Sequence, residues 1–501
     1  MSNRKRFFYN GIMLTAVALA MRTVGMVFNS FITRTVGAEG IGLYTLIMTV
    51  YSFAITFATS GINLTVTRLV ASDIGENGGT GVGRIMKNAL IYALIFSITA
   101  SVVLFVFADY FGNLVLSDGR TVLPLRLLAL SLVPIALSSL FSGYFVGVKR
   151  VSHNAAVQVL GQVFKIGITL FLVFSFVNES VEYAVLALAA STTLTEVAAF
   201  LVGLVQYLYD KRKNKKGREA RSHRFSDITS MALPLALSAY IRSALLTLEH
   251  ILIPTRLRQR GDTLSESLSA YGMLHGMALP LLIYPMSPLS SFAGLLVPEF
   301  AGSMARGEWS RLKRIASEAL STTLVYASVC AVFVGMFAEE LGYVIYNSYG
   351  AGHYIAIMAP VIPIMYLDHV TDSMLKGIGE HVYSMWVNIA DSLLSVALVW
   401  ILIPVMGISG YAVVIVAMEA FNFILSAVRL YSKIRFRINL LTSLIIPLGA
   451  ALLSALVCKR LFIFAGNEAT GLWLFLKLLF ALCIFIAAYV IISNIAKKRC
   501  A

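Results

Sequence analysis

Four basic residues stand inside long hydrophobic stretches of this sequence: Arg22, Lys165, Arg242 and Lys477. So do the acids Glu196, Glu249, Asp368, Asp372, Asp391 and Glu419. A charge at the centre of a membrane helix costs about 2.5–3.5 kcal/mol on insertion scales, so each needs a partner or a task. The planar fork of an arginine suits an anion such as a phosphate, whose oxygens it binds two at a time. Arg22 lies too deep in the first stretch to snorkel, and two readings stand open: a pair with an acid on a neighbouring helix, or an anion ligand. Arg242 and Glu249 are seven residues apart, two helical turns, and so share one face. That face is either a structural ion pair or a lining for a polar ligand. Lys165 fits an interfacial position or a pair with Glu196, and Lys477 fits snorkelling near a helix end. Asn388 and Asp391 are spaced i, i+3 and can present oxygens to Na⁺ or a proton, or simply pair in helix packing. Asp368, His369 and Asp372 fit a proton relay or simply the wet end of a helix.

No residue set for catalysis emerges. The sequence has no His-Glu-x-x-His, no Gly-x-Ser-x-Gly and no paired carboxylates spaced for activating a water, so an enzyme is not expected. The four cysteines, Cys330, Cys458, Cys483 and Cys500, lie in apolar runs or at the end of the chain without metal or disulfide spacing. No metal site and no cofactor are expected beyond a coupling Na⁺ or H⁺. The run from Gly75 to Gly83 looks like a phosphate loop but follows a membrane helix and lacks Gly-Lys-Ser/Thr, so it reads as a flexible loop.

The elements that must position these residues are set by composition. The chain has 501 residues, 58% hydrophobic and only 13% charged, with a mean hydropathy of +0.82. Soluble domains are about 45–50% apolar and about 25% charged, so soluble classes are excluded. At about 20 apolar residues per span, there is material for roughly fourteen, and fourteen apolar stretches fall between residues 8 and 495. None alternates with the period of a membrane strand, so the class is an all-α polytopic membrane protein. The first stretch runs on past Arg22 to about Phe31, too long for a signal-peptide core, and reads as an uncleaved span.

The formal charge of +15 is largely topological. With the N-terminus inside, 28 of the 40 basic residues fall on the inner side and 8 on the outer, among them Arg34, Arg120, Arg126 and Arg256. That bias obeys the positive-inside rule and places both termini in the cytoplasm. The basic run from Lys211 to Arg224 lies between two spans, where it orients the chain beside anionic lipid. Nucleic acid is therefore not an expected partner.

This run also divides the chain. Tyr44 matches Tyr271, Gly143-x3-Gly147 matches Gly377-x-Gly379, and Glu196 matches Glu419, at offsets of 227, 232 and 223 residues. The expected organisation is a six-helix lobe at 1–210, a basic cytoplasmic linker at 211–226, a second six-helix lobe at 227–437, and a helix pair with a tail at 438–501. Six spans is an even number, so the lobes are parallel repeats, an arrangement that places a binding cavity near the midplane and opens it alternately to each side.

Several local words carry a resemblance: Gly37-Ala-Glu-Gly40-Ile-Gly42-Leu-Tyr44, Ser60 to Val70, Ser142-Gly-Tyr-Phe-Val-Gly147, and Ile241-Arg242 through Glu249 to Pro254. In the second half they continue with Leu295-Leu-Val-Pro298-Glu299, Leu375-Lys-Gly377-Ile-Gly379 and Leu402 to Tyr411. Together the chain resembles bacterial polysaccharide exporters, in the branch that includes stage V sporulation protein B and the lipid II flippases. The resemblance implies two lobes around a cationic cavity, with the last helix pair flanking a groove for a lipid tail. It assigns Arg22, Arg242 and Glu249 to that cavity and puts Arg68 at a basic position near the inner end of the second helix. The chain departs from the lipid II flippases at Phe28 and Asn29, and from the sporulation branch at Asn63 and Ser142.

The expected function is an alternating-access flippase in the bacterial cytoplasmic membrane. It would move a polyprenyl-diphosphate-linked saccharide, a cell-wall or polysaccharide precursor, its head held by Arg22, Arg242, Lys165 and Arg68 with Glu249. Asn388 and Asp391 would couple an ion. Two alternatives stand beside it: a multidrug cation antiporter of the same superfamily, which predicts an acidic cavity, and a non-transporting scaffold for envelope assembly. Lipid-linked saccharide and membrane lipid are the expected partners, and the sequence leaves the oligomeric state open.

Overall fold

The structure, a computed structural model, describes residues 3–148, 150–176, 180–213, 225–463 and 471–500. The basic linker lies, from 214 to 224, outside the described residues, and so does Lys149. Helix is the only regular structure among the described residues. Lipid offers no hydrogen bonds to the backbone, and a helix satisfies every peptide group within its own segment.

The first helices are α1 (Asn3–Thr59), α2 (Ile62–Asn77), α3 (Val82–Val106), α4 (Val122–Ala129), α5 (Leu132–Gly147), α6 (Val151–Phe176), α7 (Val181–Lys213) and α8 (Phe225–Arg260). There follow α9 (Leu264–Tyr271), α10 (Leu279–Ile283), α11 (Ser287–Ala305), α12 (Trp309–Met336), α13 (Ala338–Tyr346), α14 (Tyr349–Met358) and α15 (Ile362–Gly377). The last four are α16 (His381–Met406), α17 (Ile408–Ile434), α18 (Ile446–Ile463) and α19 (Gly471–Cys500).

Among the described residues twelve helices are long and apolar enough to cross a membrane, and counting the bent pair α4–α5 as one span makes thirteen. The remaining expected span is hidden in α1, which is interrupted at Gly37 with φ 82° and ψ 173°. That conformation is open to glycine and hardly to any residue with a Cβ. It separates the stretch carrying Arg22 from the one carrying Tyr44, so the membrane-spanning all-helical class stands with about fourteen spans.

The helices gather into two compact units, one of Met1–Ala38 with Ala270–Ala501 and the other of Glu39–Ser269. Each has its own core. In the 39–269 unit, Ile62, Val66, Ile85, Tyr92, Leu140 and Phe145 are buried together. In the other, Leu296, Phe300, Leu320, Val370, Met374 and Leu430 are. These packing units do not share boundaries with the expected sequence halves. Sequence repetition and spatial clustering are different properties and need not coincide.

Within the 39–269 unit α5 lies directly on α2. A Cβ placed on Gly143 would stand 2.6 Å from the Asn63 carbonyl oxygen, and one on Gly147 2.9 Å from the Val70 side chain. In the other unit α15 lies as closely on α11, where a Cβ on Gly377 would meet Phe300 Cβ at 2.6 Å and the Val297 carbonyl oxygen at 3.0 Å. Small residues at such crossings let two membrane helices approach until their backbones touch.

Helix ends are tied by ion pairs. In the 39–269 unit the buried Asp210 carboxylate meets Arg150 and accepts the Tyr144 hydroxyl at 2.6 Å. In the other unit Glu380, in the turn before α16, binds Arg429 at 2.8 Å and Lys433 at 2.9 Å on α17. The hydrogen bonds from Lys433 and Arg429 hold the Glu380 carboxyl below the usual glutamate range. A carboxyl with a depressed folded value stabilises the protein above its unfolded value, and that contribution disappears as pH falls through the folded one. Glu380→Gln is thus expected to lower Tm in detergent at neutral pH. The gap to the native protein should begin to narrow as pH drops below the ordinary glutamate value, about 4.3, and close only below the depressed folded value. A gap independent of pH would assign the loss to packing.

Candidate functional site

In the 39–269 unit, α8 carries two of the expected site residues. Arg242 is exposed, and no hydrogen bond or ion pair joins it to another side chain among the described residues. Glu249, two turns on along the same face, is 7% exposed, and Ile253 beyond it is fully buried. The shared face is therefore graded, covered at its Ile253 end and open at Arg242. Between them Leu246 is exposed. Lys165 on α6 is exposed, and its charge reaches Glu196 on α7 without a direct ion pair among the described residues. Arg68 is exposed on α2 and likewise unpaired among the described residues.

Helix α8 also bonds to the 39–59 half of α1, and here sequence reasoning missed a polar feature. Thr56 donates to the Ser243 hydroxyl at 3.3 Å, and Thr247 donates to the Thr49 carbonyl at 3.3 Å. Further along, the Tyr240 hydroxyl donates to Ser60 at 2.5 Å. The signal was available as the spacing Thr45, Thr49, Ser52, Thr56, one face of a helix. Hydroxyls among aliphatic residues scarcely disturb hydropathy, so the row was passed over.

In the other unit, the Arg22 stretch of α1 is fastened beyond the arginine. Thr23 and Tyr284 share a hydrogen bond of 2.8 Å, Arg34 Nε donates to the Ile345 carbonyl at 2.6 Å, and Ser30 donates to the same carbonyl. Arg22 itself is exposed and makes no hydrogen bond or ion pair among the described residues. Its charge acts on Tyr366 and His369 of α15.

Three helices then bring together acids that sequence reasoning had kept apart. Asp368 on α15 lies within electrostatic reach of Glu419 on α17, of Asp372 on its own helix and of Asp391 on α16, and Glu419 also feels Asp391. Lys376 pairs with Asp372 at 2.6 Å. Asn388 donates its amide to the Ser384 carbonyl at 2.7 Å, so its nitrogen is engaged by its own helix. Among the described residues no three His, Cys, Asp or Glu side chains are placed to hold a metal ion. The same unit holds an apolar cavity of about 820 Å³, walled by Met26 of α1, Tyr326 and Phe333 of α12, and Phe475, Leu479 and Phe485 of α19.

Several outer-side arginines have structural partners. Arg120 binds Asp118 at 2.8 Å and Glu39 at 2.9 Å, and Arg126 binds Asp109 at 2.5 Å. They are thereby separated from Arg22 and Arg242, which no side chain neutralises directly among the described residues.

Comparison with known proteins adds an independent line. The family described as polysaccharide biosynthesis protein matches residues 7–304, and the MatE family matches residues 265–401. Stage V sporulation protein B of Bacillus subtilis (strain 168) is 28% identical over 429 residues, 82% of this chain and 81% of the relative. Lipid II flippase MurJ of the same organism is 22% identical over 401 residues, 74% of this chain and 73% of the relative. Among solved structures, a lipid II flippase MurJ in an inward closed conformation aligns with TM-score 0.72 and 11% identity, covering 96% of this chain and 99% of its own. An inward-facing multidrug resistance MATE family transporter of the MOP superfamily aligns with TM-score 0.69 and 16% identity, covering 84% and 98%. At these identities the structural likeness concerns the fold.

Proposed function

The chain belongs to the polysaccharide biosynthesis protein family, and from that premise we propose that it flips a polyprenyl-diphosphate-linked saccharide across the bacterial cytoplasmic membrane. It is a multi-pass membrane protein, and in this reading it acts as a flippase of the MOP superfamily rather than as an enzyme. The observation that carries the finer reading is Arg22: an exposed guanidinium, unpaired among the described residues, on an apolar helix. A membrane helix keeps such a charge when something anionic uses it.

In this reading Arg22 and Arg242, helped by Lys165 and Arg68, neutralise the diphosphate, and Glu249 sets the orientation of the cationic face. The lipid tail never leaves hydrocarbon. The apolar cavity walled by α12 and α19 is the surface we assign to it. An inside-negative potential favours outward movement of the head, by about 4.6 kcal/mol for two charges at 100 mV. The division into lobes at 1–210 and 227–437 with a helix pair at 438–501, both termini in the cytoplasm, and alternating access belong to the same proposal.

Coupling is assigned to Asn388 and Asp391, with Asp368 and Glu419 as the acids that share charge with Asp391. Asp391→Asn is expected to remove the response of flipping to an imposed Na⁺ or pH gradient while leaving its response to membrane potential. Proteoliposomes with the three gradients set independently measure this, and a gradient response equal to that of the native protein would take Asp391 out of the coupling site.

The same carboxylates favour a second reading, a multidrug cation antiporter. An assay of lipid-linked precursor reaching the outer leaflet, run on Arg22→Ala and Arg242→Ala beside a drug-efflux assay, separates the two. Efflux with no flipping would support the antiporter.

A further inference from the structure

Within the 39–269 unit, the 39–59 half of α1 and helix α8 enclose a cleft of about 310 Å³. Its polar walls are Thr45, Thr49 and Ser52 from α1 and Ser243, Thr247 and His250 from α8, with Met48 and Leu246 completing it. The opposite sides of the same two helices behave differently. There Val50, Phe53, Ala54 and Phe57 face Leu248 and Ile251 across an apolar cavity of about 440 Å³. Thr247 borders both cavities, while Thr45, Thr49, Ser52 and Ser243 line the polar cleft and not the apolar one.

Their hydrogen bonds decide what the cleft can hold. Thr49 donates to the Thr45 carbonyl at 2.9 Å, Ser52 to the Met48 carbonyl at 2.7 Å, and Thr247 to the Thr49 carbonyl at 3.3 Å. A hydroxyl has one hydrogen to give and two lone pairs to offer. With their hydrogens spent on carbonyls, these three oxygens remain as acceptors, beside Thr45, Ser243 and His250, which can also donate, so the cleft suits a neutral ligand that both gives and takes hydrogen bonds. None of the six polar residues is an arginine, lysine or acid, so the cleft offers a diphosphate no fixed charge to neutralise it. A lone cation needs far less room than this volume. Ligand pockets run from about 300 to 1,000 Å³, so this one suits a single small ring or two.

We propose that this cleft is a saccharide subsite, which accepts hydrogen bonds from the hydroxyls of one or two sugar rings. It rests on the flippase reading for its role in transport and assigns to that substrate's sugar a place distinct from the arginines assigned to the diphosphate. Recognition by hydroxyl acceptors discriminates because a ligand that lacks the OH forgoes the hydrogen bonds the cleft accepts.

The test uses the purified full chain in proteoliposomes, with undecaprenyl diphosphate and undecaprenyl-diphosphate-N-acetylglucosamine as the two probes. The triple variant Thr49→Val, Ser52→Ala, Thr247→Val removes three acceptors with little change of volume. Losing two or three neutral hydrogen bonds should slow the sugar-bearing probe roughly ten- to a hundredfold and leave the bare diphosphate unchanged. Equal rates for the variant and the native protein on the sugar-bearing probe would overturn the subsite. So would equal slowing of both probes by a variant that keeps the native Tm. If the triple variant does not fold, Thr45→Val and Thr247→Val alone are compared in the same way. Saturation-transfer NMR of free N-acetylglucosamine with the detergent-solubilised protein supplies an arm that does not depend on transport. Should the native protein move neither lipid, the flippase reading falls. A transfer signal seen with the native protein and abolished by the substitutions would then still support the subsite. No signal with the native protein, or an equal signal with the variant, would overturn it.

Discussion

Replacing Arg22 with alanine is expected to lower the flipping of a lipid-linked precursor by roughly ten- to a hundredfold, the loss of one charge-assisted hydrogen-bond set worth about 1.5–3 kcal/mol. The magnitude follows from the position. Arg22 is exposed and makes no ion pair among the described residues, so its removal strands no protein carboxylate and should cost little stability. The deficit should therefore lie in transport, with Tm nearly unchanged. Arg22→Lys should fall between, because an ammonium keeps the charge but loses the planar two-point grip on phosphate oxygens. Arg242→Ala should act in the same direction. The measurement is the fraction of precursor reached by an impermeant probe at the outer leaflet. Native flipping by both single variants would dispose of the cationic head site.

The second large effect concerns folding. Gly143→Ala is expected to destabilise the protein, although alanine favours helix over glycine by about 1 kcal/mol. The added Cβ would stand 2.6 Å from the Asn63 carbonyl oxygen and 3.2 Å from Asn63 Cα, both backbone atoms of α2 that no rotamer change can clear. Overpacking of this kind costs about 1–3 kcal/mol, so the clash outweighs the propensity. Gly377→Ala, against Phe300 Cβ at 2.6 Å, should behave alike, and a valine at either place should be worse. Lower Tm and lower yield of monodisperse protein in detergent are the readouts. Gly75→Ala is the control: it lies near the end of α2, and nothing stands within 4 Å of its added Cβ. A Gly143→Ala protein as stable as the native one would mean that α2 and α5 can separate at little cost.

Much of this was legible in the sequence, for reasons that differ from residue to residue. The apolar runs announce helices because the bilayer tests each segment on its own length and hydropathy. Gly37 ends the first span at the place where the hydropathy already dips, and the structure finds the helix broken there. Gly143 and Gly147 were noticed as a repeat marker; their role as the packing surface for α2 needed coordinates. Arg120 and Arg126 were counted as outer-side charges, and the structure adds what they bind, Asp118, Glu39 and Asp109.

Asp368 and Glu419 show where one-dimensional reading stops. They are 51 positions apart in the chain, with Asp391 between them on a third helix, and sequence reasoning treated one as a wet helix end and the other as a repeat marker. Their charges are felt together because α15, α16 and α17 pack side by side. The hydroxyl row from Thr45 to Thr56 was equally hidden, since its meaning depends on Ser243, Thr247 and His250 standing opposite.

By itself, then, the sequence determined the membrane-spanning helical class and the short list of charges that an apolar chain would not carry idly. Those are properties of single segments weighed against lipid or water, and they add along the chain. Only the tertiary structure decided which charges are satisfied, which acids share a field and which hydroxyls face a common cleft. Such pairings are set by how helices distant in sequence lie against each other, in crossings as close as Gly143 on Asn63, and hydropathy carries no information about them.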